Sequence, residues 1–560
     1  MVLKCESLPL AISLLGGVLI KKKSIDEWEL VNRNINTYLY RGEGVEKEKK
    51  LDGVLNLSYE DLPYYLKPCL LYMGQFRGDQ IIYVGTLYRL WIAEGMISRD
   101  HGHGDNETLM DIAELYLNEL VSRSIVNVEV EDFLKEQRYV SCRLHDAGKE
   151  DFGLQIIEND QSGNFGTLLD PKTRHLVIHC HEVQVELEND GFPSTRDDSR
   201  RYKNIEFLHN ILDLHKFKLL RVLVIRRCNF KGRKLPRGIA NLVHLKYLGL
   251  FCCALDELPS SISNLRYLYT LDSWDVRVPN VLKKMHRLKH LVLPYYRKEN
   301  IGEYRLRLEG LEELEILYGF DSLVHDLKSV TKMKNLQYFE AIAHDNQSVS
   351  SIINAITTNW KKLRFCKLVI GHGCEITPTK EGSMFLKKVF TCSDLHYLWI
   401  HVHVGKLIHE YHNEIIGSRI VRLQLMECEI EEDPMEILGK LSSLQQLFLS
   451  NRSYVGKHLK CHALDFPCLK NLVLKCLPNL KEWRVEKGAM PALSEIEINR
   501  CLRLKMVPYG LRFVSTLKKL KITGMRKIGK KCFGIIKWSR RRGFLQSPAC
   551  DFHYCRRLNE

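Results

Sequence analysis

Three histidine pairs come nearest to metal chemistry in this chain: His101-Gly102-His103, His179-Cys180-His181 and His401-Val402-His403. On a strand, an H-x-H pair sends both imidazoles to one face, which is how a zinc site collects its first two ligands. No third or fourth ligand stands at a usable spacing, so the pairs read as strand and loop histidines. No Ser-His-Asp arrangement and no G-x-S-x-G elbow appears, which leaves acyl transfer without a nucleophile. Phosphate chemistry would need G-x-x-x-x-G-K-[S/T], whose backbone amides cradle the anion. The nearest run, Gly17-Val18-Leu19-Ile20-Lys21-Lys22-Lys23-Ser24, puts Lys22 where the second glycine must stand. Eighteen cysteines make no C-x-x-C pair and no zinc spacing. Cys228, Cys252, Cys253, Cys366, Cys428, Cys476 and Cys501 fall at or beside leucine-rich segments, where a small reduced thiol packs well. The residues that remain are suited to binding rather than to bond-making.

The elements that position them repeat. Leu220-Arg221-Val222-Leu223-Val224-Ile225 is followed by Leu245-Lys246-Tyr247-Leu248-Gly249-Leu250, and the same frame persists to Leu444–Leu449 and Leu469–Leu474. This is the L-x-x-L-x-L frame of leucine-rich repeats, at a period of roughly 20–29 residues. Repeats start near Leu220, Leu245, Leu268, Leu288, Leu314, Leu336, Leu363, Leu395, Ile420, Leu444, Leu469, Leu493 and Leu517. Period 2 inside each frame sends the leucines inward and the x positions to the concave face of a solenoid. Aromatic and cationic side chains there suit protein recognition. Tyr247, Phe251, Tyr397, Trp399, His401 and Phe448 are the candidate partner-binding residues, with Tyr397 and Trp399 foremost.

The N-terminal part is helical in pattern. A helix is expected after Pro9, and apolar spacing from Leu55 to Leu71 predicts more helix, with Pro63 in a first turn. Leu87–Ile97 is amphipathic and Gly95 is its C-cap; Met110–Val121 is a further amphipathic helix. Ile125–Val130 and Gln137–Leu144 read as a hairpin, which after helices suggests a winged helix. Phe152–Ile157 extends the helical part, and Arg174–Ile178 reads as a strand.

Five motifs in this order resemble plant nucleotide-binding leucine-rich-repeat (NB-ARC LRR) disease resistance proteins of the coiled-coil type. Ser7-Leu8-Pro9-Leu10-Ala11 is similar to GLPLA, and Leu57-Ser58-Tyr59-Glu60-Asp61-Leu62-Pro63 to LSYDxLP. Lys67–Met73 resembles KxCFLYC, Trp91-Ile92-Ala93-Glu94-Gly95 resembles LWIAEGF, and Arg143-Leu144-His145-Asp146 resembles the MHD motif. The resemblance implies an α+β multidomain chain: an NB-ARC helical remnant over 1–73, a winged helix over 74–150, a linker over 151–205, an α/β leucine-rich-repeat solenoid over 206–525 and a basic tail over 526–560. It implies cofactor contacts from Pro9 near adenine and from His145, with Asp146 orienting its loop, at a bound diphosphate. Complete relatives bind ADP or ATP. No cofactor is expected for this chain alone and no enzymatic activity, because the phosphate loop is missing and the motifs begin almost at GLPLA, as in a truncated product. The implied role is immune: recognition of a pathogen effector or a guarded host protein, with the repeats contacting the nucleotide-binding module intramolecularly. The alternatives are a nucleotide-hydrolysing switch with a missing N-terminus and a non-immune repeat scaffold or adaptor.

Composition fits a cytoplasmic protein with packed cores. Of 560 residues 45% are hydrophobic, and no apolar run reaches the roughly 18 residues of a membrane span. Leu8–Ile20 imitates a signal-peptide core, but Lys21-Lys22-Lys23 stands where cleavage would occur. The net charge of +15 is concentrated at the end. From Leu517 to Glu560 there are thirteen Lys and Arg against two acidic residues. That tail gives scope for contact with an anionic surface, and no specific nucleic acid partner is expected.

Overall fold

The computed structural model describes residues 9–39, 54, 56–74, 76, 81–98, 107–129, 141–144, 154–158, 173–179, 217–294 apart from 229 and 254, 305–370, 389–401 apart from 393, and 417–524. They belong to two compact units, 1–272 and 273–560.

The first unit opens with α1 (Pro9–Leu19), which buries Ala11, Leu14, Leu15 and Val18. Gly17 is there for packing. A Cβ on it would lie 2.1 Å from the Arg123 carbonyl oxygen. The cations after it are taken up too: Lys21 pairs with Glu119 at 2.7 Å and Lys22 with Asp61 at 2.5 Å. The stretch nearest to a phosphate loop in sequence is thus a helix and its ion-paired C-terminal turn. α2 (Ile25–Leu39) starts on a reciprocal cap, in which Glu27 N–H donates to the Ser24 hydroxyl and Ser24 N–H to the Glu27 carboxylate. α3 (Lys67–Met73) has Pro68 in its first turn. Pro63, expected to open a helix, instead accepts from Leu66 N–H in the turn before it.

α4 (Val84–Glu94) ends as its sequence predicts. Gly95 adopts φ 78°, and Met96 N–H closes back on the Trp91 carbonyl at 2.9 Å. α5 (Leu109–Ser122) starts on Thr108, whose hydroxyl accepts from Asp111 N–H while the Asp111 carboxylate accepts from Thr108 N–H. The wing is a three-stranded antiparallel sheet in the order β1-β3-β2, with β1 Ile82–Tyr83, β2 Val126–Glu129 and β3 Ser141–Leu144. The hairpin β2–β3 follows the predicted pairing, and β1 is an addition to it.

A parallel ladder completes the first unit: β4 (Leu154–Glu158), β5 (His175–His179), β6 (Val222–Arg226), β7 (Tyr247–Phe251) and β8 (Thr270–Ser273). β4 corrects an expectation. Phe152–Ile157 was expected to extend the helices, but residues 154–158 pair in parallel with β5. A short apolar run does not declare its period, and the neighbouring strand decides it.

The second unit continues the frame through β9 (His290–Val292), β10 (Ile316–Asp321), β11 (Tyr338–Ala343), β12 (Phe365–Ile370), β13 (Tyr397–His401), β14 (Arg422–Met426) and β15 (Gln446–Ser450). β16 (His458–Cys461) and β18 (Glu482–Val485) form a separate parallel pair. β17 (Asn471–Lys475), β19 (Glu495–Asn499) and β20 (Lys519–Thr523) extend the main sheet. From β6 onward each main-sheet strand begins two residues after a predicted repeat start. Leu398, Ile400, Leu423, Leu447, Leu449, Leu472 and Leu474 are buried, each worth roughly 1.5–3 kcal/mol. The thiols of Cys253, Cys428 and Cys501 lie 3.4, 3.7 and 3.5 Å from carbonyls of the preceding strand, at Ile225, Ile400 and Leu474. They occupy the ninth frame position, where such repeats carry Asn or Cys. The described cysteines are all free thiols. No described helix is long and apolar enough to cross a membrane.

Candidate functional site

Two sheet surfaces carry the candidate residues, one in each unit. In the first unit β6, β7 and β8 are buried on both faces. β6 and β7 are buried at their first four positions and β8 throughout. One face packs on the aliphatic core. The other meets α4, whose charges reach the strands at two points. Arg89 Nη2 donates to Asp272 Oδ2 at 2.7 Å, with the two side chains 7% and 0% exposed. Tyr247 donates its hydroxyl to the same carboxylate oxygen at 3.2 Å. At the C-terminal end of α4, Glu94 Oε1 lies 3.0 Å from His175 Nε2 and Glu94 Oε2 lies 3.7 Å from Arg221 Nη1. The Tyr72 ring packs edge-on against His175 at 5.3 Å.

The electrostatics follow from burial. Loss of solvation pushes the Tyr247 hydroxyl above its ordinary range, and the Asp272 charge pushes it the same way. Tyr72 is raised by burial, then by Glu94. Both phenols therefore stay neutral and act as donors or packing groups. Gly249 makes room for the Tyr247 and Phe251 rings: a Cβ there would come within 2.8 Å of the Tyr247 ring and 2.7 Å of Phe251.

This contact corrects one expectation. Tyr247 is fully buried inside its own unit, so it is not free for a partner. Phe251 is half-buried and carries the Arg226 guanidinium 4.9 Å above its ring. Arg89, Glu94, His175 and Asp272 were not singled out by sequence. The signal that could have found Arg89 and Glu94 is a charge inside the largely apolar run Leu87–Ile92 and another at its end. Asp272 is a charge at an x position where the neighbouring repeats carry Val224 and Gly249.

In the second unit the face opposite the core is more open on β12 and β13. β13 alternates strictly, with Leu398 and Ile400 buried and Tyr397, Trp399 and His401 half-buried on the other side. Register sets Lys367, Trp399, Gln424 and Phe448 side by side on four successive strands. Lys367 Nζ lies 4.1 Å from the Trp399 ring centroid, a cation–π contact, and also pairs with Glu340. His401 Nε2 is 2.8 Å from Glu427 Oε2. Trp399 Nε1 and Gln424 Nε2 are buried donors with no acceptor among the described residues. Phe448 corrects a second expectation: it is buried, 1% exposed, beneath Arg422, whose Cζ lies 4.8 Å from its ring. Tyr397, Trp399 and His401 are thus brought together with Lys367 and Gln424, while Tyr247 and Phe448 are spent on internal packing.

Pro9 is exposed at the start of α1. His145 and Asp146 lie outside the described residues, as do His101, His103, His181 and His403. Among the described residues no three of His, Cys, Asp and Glu converge as a metal site would require.

The comparisons agree with this architecture. A model of the leucine-rich repeat region matches residues 204–531, more than half of the chain, and the disease resistance protein winged helix domain matches residues 76–149. The putative disease resistance protein At1g59780 of Arabidopsis thaliana is 33% identical over 94% of this chain and 57% of its own length. Disease resistance protein RPP8 of the same plant is 32% identical over 95% of this chain and 58% of its own length. The chain therefore spans somewhat more than half the length of the curated relatives it matches. With repeats after a winged helix, and homology along nearly all its length, the chain belongs to the plant leucine-rich-repeat disease resistance proteins.

Proposed function

We propose that this chain is the recognition-bearing part of a cytoplasmic plant immune receptor. A pathogen effector or a guarded host protein docks on the repeat sheet, and the winged helix is held by the repeats until it does. The observation that carries this reading is the seating of α4 on strands β5 to β8 through Arg89–Asp272 and Glu94–His175. Groups buried in these contacts cannot also be offered to a partner. Recognition is accordingly assigned to the half-buried Tyr397, Trp399 and His401, where cation, aromatic and unpaired donor groups lie together.

Nucleotide binding belongs to the complete family architecture. In this chain Pro9, His145 and Asp146 stand at the positions that would touch ADP, and its residues supply no phosphate-cradling loop and no catalytic group. The chain acts by binding, not by turnover. The test is a screen of secreted pathogen proteins and their host targets against the purified chain, followed by calorimetry of the hit on Tyr397→Ala/Trp399→Ala. The double variant should keep its thermal midpoint and lose at least tenfold in affinity, the usual penalty for two interface aromatics of roughly 1 kcal/mol or more each. Unchanged affinity would remove the assignment to β13.

A further inference from the structure

Four repeats return to the next strand through a 3₁₀ turn that follows a proline, and the chain provides its own comparison of those turns. Pro236 precedes Arg237–Asn241 and Pro259 precedes Ser260–Asn264. Pro279 precedes Asn280 and the turn Leu282–Lys284. Pro508 precedes Tyr509–Phe513. Aligned on the proline, the first position holds Arg237, Ser260, Asn280 and Tyr509, and the fifth holds Asn241, Asn264, Lys284 and Phe513. Asn241, Ser260, Asn264, Asn280 and Lys284 are exposed, as polar residues at a solvated turn should be. Only the last of these four turns puts aromatics there, and it leaves Tyr509 62% and Phe513 44% exposed. The fold does not require them, since the other turns close without them.

The turn is firmly seated. Gly510 presses on β18 so closely that a Cβ would lie 1.8 Å from the Val485 carbonyl oxygen. The rings stand edge to face, 6.4 Å apart, with the Arg512 guanidinium 3.6 Å from the Tyr509 centroid and 4.4 Å from that of Phe513. Lys487 reaches to 5.7 Å from the Phe513 ring. Arg512 Nε is buried without an acceptor, and neither cation has a carboxylate partner among the described residues. Leu502 and Met506, seven and three residues before Tyr509, are about half exposed.

Exposed aromatic and aliphatic side chains around cations that no carboxylate neutralises have the chemistry of a surface that lies on an anionic interface. We propose that the Tyr509–Phe513 turn, with Arg512 and Lys487, docks this chain on an anionic phospholipid surface. The rings and Met506 enter the headgroup boundary and the cations meet lipid phosphates. Two points favour a bilayer over an acidic protein. The contact stands on an outward turn rather than in a groove, and the sequence that follows from Leu517 carries thirteen basic against two acidic residues, a charge suited to an extended anionic plane.

The experiment is co-sedimentation of the full chain with phosphatidylcholine vesicles, with and without phosphatidylserine. The variant Tyr509→Ser/Phe513→Asn gives the turn the residues used in the second of the four turns, and its thermal midpoint should be unchanged. Wild type should bind the serine-containing vesicles, and the double variant should bind them at least about tenfold more weakly. Arg512→Gln should weaken that binding about fivefold, as expected for one cation near a charged leaflet, and should change nothing on pure phosphatidylcholine. Absence of wild-type binding, or equal binding by the double variant, overturns the proposal. So does loss of binding to a polyglutamate peptide in the double variant while vesicle binding stays intact, which would make the turn a dock for an acidic protein.

Discussion

Removing the Asp272 carboxylate would leave the Arg89 guanidinium buried beside it with no opposite charge. The pair is joined at 2.7 Å with side chains 7% and 0% exposed, so water cannot replace the lost partner without opening the contact. Breaking a buried ion pair from one side costs about 3–5 kcal/mol. For a unit of this size that is a fall of roughly 6–20 °C in the unfolding midpoint. Asp272→Ala should show it, and hydrogen exchange should place the loss in residues 84–94 and 247–251 before the rest of the first unit. Asp272→Asn should recover part of it, because an amide oxygen can still accept from Tyr247. Arg89→Met/Asp272→Leu should cost less than either single change, since apolar groups of similar volume replace a buried pair at little cost. A double-mutant cycle on chemical denaturation reads the coupling. A cost below about 1 kcal/mol for Asp272→Ala, the range of a solvent-exposed pair, would refute the reasoning. So would a double variant as damaged as the sum of its singles.

Three further outcomes can be checked. Burial holds His325 at about 3, below its ordinary 6.5, so the stability it contributes is intact above pH 6.5 and is lost as pH falls toward 3; between pH 7 and 5 the loss is about 2 kcal/mol, and His325→Phe should flatten that part of the denaturation profile. Gly319 sits at φ 73° where β10 shifts register against β11, and a Cβ would lie 2.2 Å from the Leu293 carbonyl oxygen; Gly319→Ala should cost about 2–4 kcal/mol by urea denaturation, whereas Gly488→Ala, strained but unhindered, should cost less. Equilibrium dialysis of the chain with labelled ADP should give no micromolar binding, because the residues at hand would grip only one side of the ligand, and a micromolar constant would refute that.

The repeats were legible because their signal is local and redundant. A leucine or isoleucine at every frame start and a period of two leave one solution for thirteen strands, so a strand beginning at Tyr397 follows directly from Leu395. Gly95 was legible for the same reason, since a cap is decided by its own φ. Phe152–Ile157 differs from its expected helix because four apolar side chains in six residues suit a helix or a parallel strand equally well, and the choice belonged to β5. Tyr247 and Phe448 were misjudged by a different route. Both stand at x positions, as Trp399 does, and nothing within their own repeats distinguishes them. Tyr247 is covered by a helix whose Arg89 lies 183 residues from Asp272, and Phe448 by Arg422 from the adjacent strand. Gly17, in the run whose missing second glycine already ruled out a phosphate loop, has a packing role that sequence could not show, because the Arg123 carbonyl needs the space of its Cβ.

An x position in a repeat sheet therefore has two possible uses, and what packs over the strand separates them. β6 and β7 are buried at their first four positions beside α4, whereas β13 alternates, with Tyr397, Trp399 and His401 half-buried. The charges agree with that division. Under α4 the Arg89 and Asp272 charges are opposite, buried and paired at 2.7 Å, so they add rigidity and discriminate against a shifted register of the helix on the strands. Around Trp399 the arrangement is left incomplete, with two buried donors lacking acceptors, at roughly 1–3 kcal/mol each for a group left unsatisfied. A cost of that kind is tolerated where a ligand can remove it. Of the six aromatic and imidazole side chains first considered, those on β13 are therefore the ones to mutate first. If both donors proved to be satisfied by ordered water in a crystal of the free chain, that preference for β13 would lose its physical basis.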